Sequence, residues 1–257
     1  MRLIVACLSI LVVLVFTATG LVRQPLGDEQ TSTAIKQLSS ADEKERQNGK
    51  DKLIQIGQKA VPELIALMNE LLMHPVAHYV TGKEREGAAA WENFRKAGES
   101  RDMEKLRKAS ALIHETDITQ RLTEDTAELL GRLQAEEAIP LFIDRLLDDE
   151  NGSAAKIYWT PSMKGLVTMG SLVVPKLIEA IETAKEKAAS VKYESGSPSE
   201  QRIKWDTELI QTRAAMVLGK IGDIRALPIL TNLKCGDRSP MRYYIDEAVK
   251  SIFERAK

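Results

Sequence analysis

Apolar residues recur through most of this chain at intervals of three and four positions, the spacing that places them on one face of a helix. The pattern is clearest in the run Val61, Leu64, Ile65, Met68 and Leu72. The composition agrees with this assignment. Aromatic residues make up only 5% of the chain, which favours helices over a β-sandwich. The sequence therefore predicts an all-α protein.

One helical pattern occurs four times. The copies contain the segments Leu53–Ile65, Leu129–Ile143, Leu166–Ile178 and Val217–Leu230, with glycine at 57, 131, 170, 219 and 222 and proline at 62, 140, 175 and 228. We predict that each copy is a helix, a glycine turn and a second helix. Glycine ends the first helix because it adopts a positive φ cheaply. Proline lies early in the second helix, where its missing N–H costs little.

The copies are unevenly spaced along the chain. Successive prolines are separated by 78, 35 and 53 residues. A gap of 35 fits one short helical repeat, and 78 fits two. We therefore expect an irregular helical insertion over 71–120 and an inserted loop at about 188–200.

The fourth copy carries a resemblance to a known family. Residues 218–228 read Leu-Gly-Lys-Ile-Gly-Asp-Ile-Arg-Ala-Leu-Pro, and residues 130–140 follow the same pattern with Gln134 where Gly222 stands. This resembles HEAT-like repeats of the subtype described in phycobilisome lyases. The resemblance implies a right-handed α-solenoid of antiparallel helix pairs. It implies a scaffold and says almost nothing about activity.

The amino-terminal segment is distinct from the repeats. Residues 3–22 carry no charge, and Arg2 and Arg23 flank them. Three readings remain open: a signal peptide cleaved after Gly20, an uncleaved membrane anchor of bilayer-spanning length, or a buried helix. The first two, which we favour, place the remaining chain outside the cytoplasm, periplasmic or secreted. We divide the whole chain into residues 1–22 as signal or anchor, 23–30 as linker and 31–257 as repeat domain.

Several polar residues stand where helices should begin. Ser40–Glu43 and Thr81–Glu84 have the spacing of capping boxes. Thr160, Ser197 and Ser239 each precede a proline, which predicts an N-cap followed by the first helical residue. The last of these predicts a helix from Pro240 to about Ala256.

Charge and chemistry exclude several classes of function. The 36 basic and 37 acidic residues nearly balance, so no basic footprint for nucleic acid is expected. Arg202, Lys204, Arg213, Lys220 and Arg225 are interpreted as a solvated helix face. His74 and His78 flank Pro75, and Cys235 has no recognisable catalytic base. We therefore predict no catalytic, metal or cofactor residues.

Aromatic side chains are the remaining candidates for recognition. We name Trp91, Tyr158, Trp159, Tyr193 and Trp205 as possible partner-binding residues. Exposed aromatics often anchor interfaces. The alternative is that they fill packing gaps where the repeats deviate.

These features predict a non-catalytic, extracytoplasmic scaffold that binds a protein or peptide through a solenoid surface. Two alternatives stay open. One is a lyase-like enzyme or enzyme accessory subunit, which rests on fold analogy. The other is a passive structural spacer of the envelope, which would have no preferred binding surface.

Overall fold

The computed structural model describes residues 29–73, 96, 103–147, 159–190, 198–233 and 240–257. Throughout these ranges the regular structure is helical, with no strand, as the sequence pattern predicts. None of the helices described combines the length and apolar character needed to cross a membrane. The proposed export or anchor segment, residues 1–22, lies outside the described ranges.

The helices form two sets. A preceding helix, α1 (Glu29–Leu38), is followed by α2 (Glu43–Ile56), α4 (Met103–Arg132), α6 (Pro161–Met169), α8 (Pro198–Ile221) and α10 (Pro240–Arg255), which we call the first-layer helices. Between them come α3 (Val61–Met73), α5 (Ile139–Asp144), α7 (Val174–Ser190) and α9 (Leu227–Thr231), which we call the second-layer helices. Short 3₁₀ turns occupy Gly57–Ala60, Glu136–Ala138, Arg145–Leu147, Gly170–Leu172 and Ile224–Ala226.

The two sets pack as two layers. Each first-layer helix contacts the next, most extensively α4 with α6 and α8 with α10, while α7 packs against α8 and α3 against α4. Helix α1 lies on α2. Polar bonds also join neighbours within the first layer: the Lys50 ammonium lies 2.6 Å from the Asp125 carboxylate and the Lys164 ammonium 2.8 Å from Glu124. The arrangement is that of a stacked α-helical repeat.

Positive backbone φ angles occur at the predicted turns. Gly57, Gly170 and Gly222 have φ of 69°, 65° and 79°. Gln134, which occupies the equivalent position in the second copy, has φ of 52°. A residue with a Cβ tolerates a positive φ poorly. The side-chain amide of Gln134 donates a 2.9 Å hydrogen bond to the Gly131 carbonyl, which helps to hold this conformation.

Two of the repeat glycines are not turn residues, contrary to the prediction. Gly131 and Gly219 lie inside α4 and α8. A Cβ on Gly219 would stand 2.7 Å from the Ala248 Cα atom, and one on Gly131 would stand 2.6 Å from the Thr168 Cβ atom. These glycines therefore allow the next first-layer helix to approach closely.

The prolines and the residues around them behave as predicted. Each of the four lies at the second position of its second-layer helix. The alanines two positions earlier in three copies, Ala60, Ala138 and Ala226, are fully buried. The larger residues two positions later also lie in the core: Leu64, Phe142, Leu177 and Leu230. Repetition of one burial pattern joins the pairs into a continuous core.

Helix starts agree with the prediction at some positions and not at others. Thr160 caps α6, its hydroxyl accepting the Met163 N–H at 3.2 Å. The capping box at Ser40 is wrong: the N-cap is Asp42, whose carboxylate accepts the Lys44 and Glu45 N–H groups. Ser197, Ser239 and the Thr81–Glu84 box lie outside the described residues, although α8 and α10 begin at Pro198 and Pro240 as expected.

The extra residues of the irregular copies lie partly in longer helices. Helix α4 has 30 residues and α8 has 24, against nine in α6. The ends of the predicted loop at 188–200 are helical, because α7 continues to Ser190 and α8 begins at Pro198; residues 191–197 lie outside the described part of the chain. Residues 74–95 and 97–102 of the proposed insertion lie outside the described part of the chain. At the other end, α10 occupies Pro240–Arg255, close to the predicted bounds, and it buries Ile245 and Ile252.

Candidate functional site

The connections between helices divide the stack into two edges. The turns from each first-layer helix to its second-layer partner, 57–60, 133–138, 170–173 and 222–226, lie at one edge, which we call the turn edge. Each second-layer helix runs from the turn edge towards the opposite side of the stack, and each following first-layer helix runs back from that side. We call this opposite side the connecting edge.

The turn edge is closed by bonds between consecutive repeats. Arg225 donates to both carboxylate oxygens of Asp223 and, at 3.0 Å, to the Ser171 carbonyl of the preceding turn. Gln58 donates in the same way to the Leu133 carbonyl of the following turn. The Arg225 hydrogen bond holds the pKa of Asp223 below its ordinary value. These polar groups are therefore engaged in structural contacts.

Two of the candidate aromatic residues can be placed on the connecting edge. Trp159 directly precedes the N-cap of α6 and exposes 36% of its surface. Trp205 lies in the amino-terminal half of α8 and is half-buried. The turn that follows Trp159 contains Gly170, and the turn that follows Trp205 contains Gly222. Trp205 is six positions farther from its glycine than Trp159 is. At 1.5 Å per residue this is about 9 Å along the helix direction, so both belong to the same side of the molecule.

The other three candidates lie outside the described residues. Trp91 belongs to the chain between α3 and α4, Tyr158 to the chain between α5 and α6, and Tyr193 to the chain between α7 and α8. The role of these three residues in binding a partner therefore stays a prediction.

The amino-terminal half of α8 provides a firm support for this edge. It packs along α7, and the Thr207 hydroxyl donates to the Ala184 carbonyl at 3.4 Å. On its surface Lys204 pairs with Glu200 at 2.7 Å and Arg202 with Asp206 at 3.1 Å. Trp205 is consequently carried by a packed helix, which limits the entropy lost when such a side chain binds a partner.

A group of buried polar side chains lies behind the edge in the first layer. Its hydroxyl members are Thr119, Thr123, Thr126, Thr160, Ser162 and Thr212. Thr123, Thr126 and Thr212 each donate a 2.7 Å bond to the carbonyl four residues earlier in their own helices. These three hydroxyls are thus satisfied locally, the usual state of a buried polar group.

Arg213 differs from the solvated position expected for it. It is only 4% exposed, and its guanidinium donates a 2.9 Å hydrogen bond to the Leu146 carbonyl at the end of the second repeat. The sequence contains a signal for this burial. Arg213 stands four residues after Leu209 and four before Val217, both buried, so it occupies a position within the apolar stripe of α8. It joins two repeats at the connecting edge.

The histidines and the cysteine considered for chemistry, His74, His78 and Cys235, lie outside the described residues. Among the side chains that are described, no three His, Cys, Asp or Glu residues come together in a group able to hold a metal ion. That the chain has no catalytic or metal-binding residues therefore stays a prediction.

Stacked helix pairs, close-packing glycines and repeated prolines define an α-helical repeat protein. The sequence profile of the PBS lyase HEAT-like repeat matches residues 210–234, which cover most of α8's carboxyl-terminal half, the Gly222 turn and α9. The chain thus contains a HEAT-like repeat of this type, as the resemblance of residues 218–228 indicates. A search of curated proteins finds no match to the chain.

Proposed function

We propose that this protein is a non-catalytic, extracytoplasmic scaffold that binds a protein or peptide partner at its connecting edge. We take the stack to be a right-handed α-solenoid, as the resemblance implies. The observation that supports the proposal is Trp159, which is 36% exposed beside the capped start of α6, together with Trp205 in the amino-terminal half of α8. The opposite edge, by contrast, is occupied by bonds between repeats.

Exposed Trp159 gives this proposal its physical basis. A tryptophan buries a large apolar area when a partner covers it, and such residues dominate the energetics of many interfaces. Placed next to a capped helix start, Trp159 is held near one position and keeps 36% of its surface exposed. The proposed site therefore combines a packed support with a partly exposed apolar side chain.

The test uses a photoreactive amino acid at position 159 of the full chain, in the cells that produce it. Ile54 provides a matched control, because it is a large apolar residue of equal exposure, 37%, close to the turn edge. We expect a discrete cross-linked partner from position 159 and none from position 54. The partner identified is then purified, and its affinity is measured for both alanine variants.

Trp159→Ala should weaken binding by about tenfold or more, whereas Ile54→Ala should leave it unchanged. Equal affinity of the purified partner for the wild-type chain and Trp159→Ala would overturn the proposed site. Cross-linking with no preference between the two positions would instead support the passive spacer, which has no preferred surface.

Extracytoplasmic location is the second part of the proposal, and residues 3–22 support it. Amino-terminal sequencing of protein from its native cells distinguishes the two forms. A chain starting at Leu21 indicates cleavage and export. An intact Met1 in the membrane fraction indicates an anchor. Intact Met1 in the cytosolic fraction would contradict this part of the proposal.

The enzyme alternative has one observation in its favour, namely that the description of the matching family includes a lyase. That match covers a repeat, which is a scaffold and carries no reaction by itself. The discriminating variants are Cys235→Ser and the pair His74→Ala and His78→Ala. If an activity of the purified chain disappeared with these changes, the non-catalytic assignment would be wrong.

A further inference from the structure

Helix α10 exposes the face that the preceding first-layer helix uses for stacking. Residues 211, 214, 215 and 218 of α8 and residues 245, 248, 249 and 252 of α10 have the same spacing and are buried or half-buried. When the two helices are aligned by these residues, Phe253 of α10 corresponds to Gly219 of α8. Gly219 is the residue of α8 against which α10 packs. Phe253 is 51% exposed, and no described element covers it.

The exposed face of α10 follows a heptad-like pattern. Tyr243, Asp246, Lys250 and Phe253 are spaced by three, four and three residues. This spacing lines them along one side of the helix, as in the seam of a coiled coil. Tyr243 is 64% exposed, and the two charged residues are exposed as well.

The face is complementary to an antiparallel copy of itself. A two-fold axis at the level of Ala248 would bring together residues equally distant from it on the two copies. Tyr243 would then meet Phe253, five residues away in either direction, and Asp246 would meet Lys250, two residues away.

Each of these pairs is favourable. An aromatic pair gains area and edge or stacking contacts, and opposite charges gain attraction as they lose water. In antiparallel helix pairs, charged residues within the seam also select the register, because a shifted copy would place like charges together. One contact opposes association: the two copies of Glu247 approach each other on one flank. Each already has its own Lys250 at 3.9 Å.

We propose that α10 forms an antiparallel, two-fold interface with α10 of a second copy of this chain. The sixteen residues of α10 span about 24 Å, so we expect an interface at the small end of the specific range and a dimer that forms only as the concentration rises. A dimer of this kind carries two connecting edges in one particle, which increases the avidity for a multivalent partner. The dimer does not depend on the function proposed for that edge.

Velocity sedimentation of the full chain, with all variants in one buffer, tests the interface by charge exchange. The wild-type chain should show a concentration-dependent dimer. Asp246→Lys and Lys250→Asp, each alone, place like charges at both symmetric contacts and should raise the dimer dissociation constant by about tenfold or more. The double variant restores opposite charges and should restore the dimer.

The most discriminating measurement is made on a mixture of the two single variants. Neither should dimerise well alone, but together they place opposite charges at both contacts and should form a mixed dimer. Glu247→Gln should tighten the dimer, because it removes the one repulsive contact. Lys176→Asp is the control. It breaks an exposed ion pair with Glu179 on α7, away from the proposed interface, and it should leave the association unchanged.

Circular dichroism melting of every variant separates loss of association from loss of folding. The proposal is wrong if the wild-type chain is monomeric up to its solubility limit, the result expected if another protein covers this face. It is equally wrong if the single variants dimerise as tightly as the wild-type chain, or if their mixture associates no better than either alone.

Discussion

Glycine has two roles in this chain, and only the three-dimensional packing separates them. Gly57 and Gly170 have positive φ and open space where a Cβ would be. Gly219 has ordinary helical geometry, but it leaves no room for a Cβ. The first role concerns the backbone of one residue, and the second concerns the distance between two helices.

Substitution of Gly219 by alanine should test the packing role. The added methyl group would overlap Ala248, so the variant should lose about 1–3 kcal/mol of unfolding free energy. Urea unfolding measures this loss. Ala248→Gly should rescue it only in part, because the Ala248 Cα atom is also 2.7 Å away.

Gly57→Ala is the matched control for backbone strain. It meets no atom within 4 Å, so its cost, about 1–2 kcal/mol, comes only from the positive φ. Ala248→Gly should therefore add to its effect without any rescue. A Gly219→Ala variant as stable as the wild-type chain would contradict the packing role.

Asp223 should make the stability of the protein sensitive to acid. Its folded-state pKa is lowered, chiefly by the side-chain hydrogen bond from Arg225. Its ionised form therefore stabilises the fold above the unfolded-state pKa of about 3.9, and this contribution disappears as the pH falls through the folded-state value. Asp223→Asn keeps an oxygen to accept the Arg225 N–H but removes the charge.

The unfolding free energies of the wild-type chain and Asp223→Asn should consequently differ most above about pH 4 and converge below it. Urea unfolding at a series of pH values measures the difference. Arg225→Gln removes the cause of the lowered pKa and should reproduce the same convergence. A difference that stays constant from neutral pH to below pH 3 would show that the charge contributes nothing.

At the scale of single elements, sequence pattern located the turns better than the helix ends. The four prolines and the positive-φ glycines 57, 170 and 222 mark the turn edge correctly, because φ restrictions act locally, whereas Gly131 and Gly219 lie inside helices. The cap of α2 was misassigned because Ser40 and Asp42 are both good N-cap residues. The choice between them depends on where helix α1, ending at Leu38, directs the chain.

The corrected cap can be tested directly. Asp42→Ala should cost about 1 kcal/mol, because it removes the acceptor for two N–H groups at the start of α2. Ser40→Ala should cost less, since it removes only the bonds to the Asp42 N–H and the Glu45 carboxylate. Thermal unfolding of both variants measures the difference, and the reverse order would restore the assignment to Ser40.

At the scale of the whole molecule, each repeat contacts chiefly its neighbours, so stability should vary along the stack. Leu64 is fully buried in α3, and Leu64→Ala should cost about 2–5 kcal/mol. Hydrogen exchange should then show faster opening of α1 to α3, with α8 and α10 affected much less. Uniform acceleration across all helices would indicate a single cooperative unit instead.

The sequence predicts only part of the proposed binding edge. Side-chain type identified the aromatic residues, but it could not show that Trp159 and Trp205 both lie away from the turn edge. That placement follows from the alternation of helices between the two layers. Arg213 was misjudged for a related reason. Its place in the apolar stripe of α8 was visible, yet its partner, the Leu146 carbonyl, is 67 residues away in the chain.

The sequence by itself determined the helical class, the repeat pattern and the turns, because these depend on residues within a few positions of each other. The tertiary structure decided which glycines permit close packing, where the longer helices take up the extra residues and which charge is buried. It also decided which face of α10 is left uncovered. These features depend on how separate helices approach one another, and local spacing does not encode that distance.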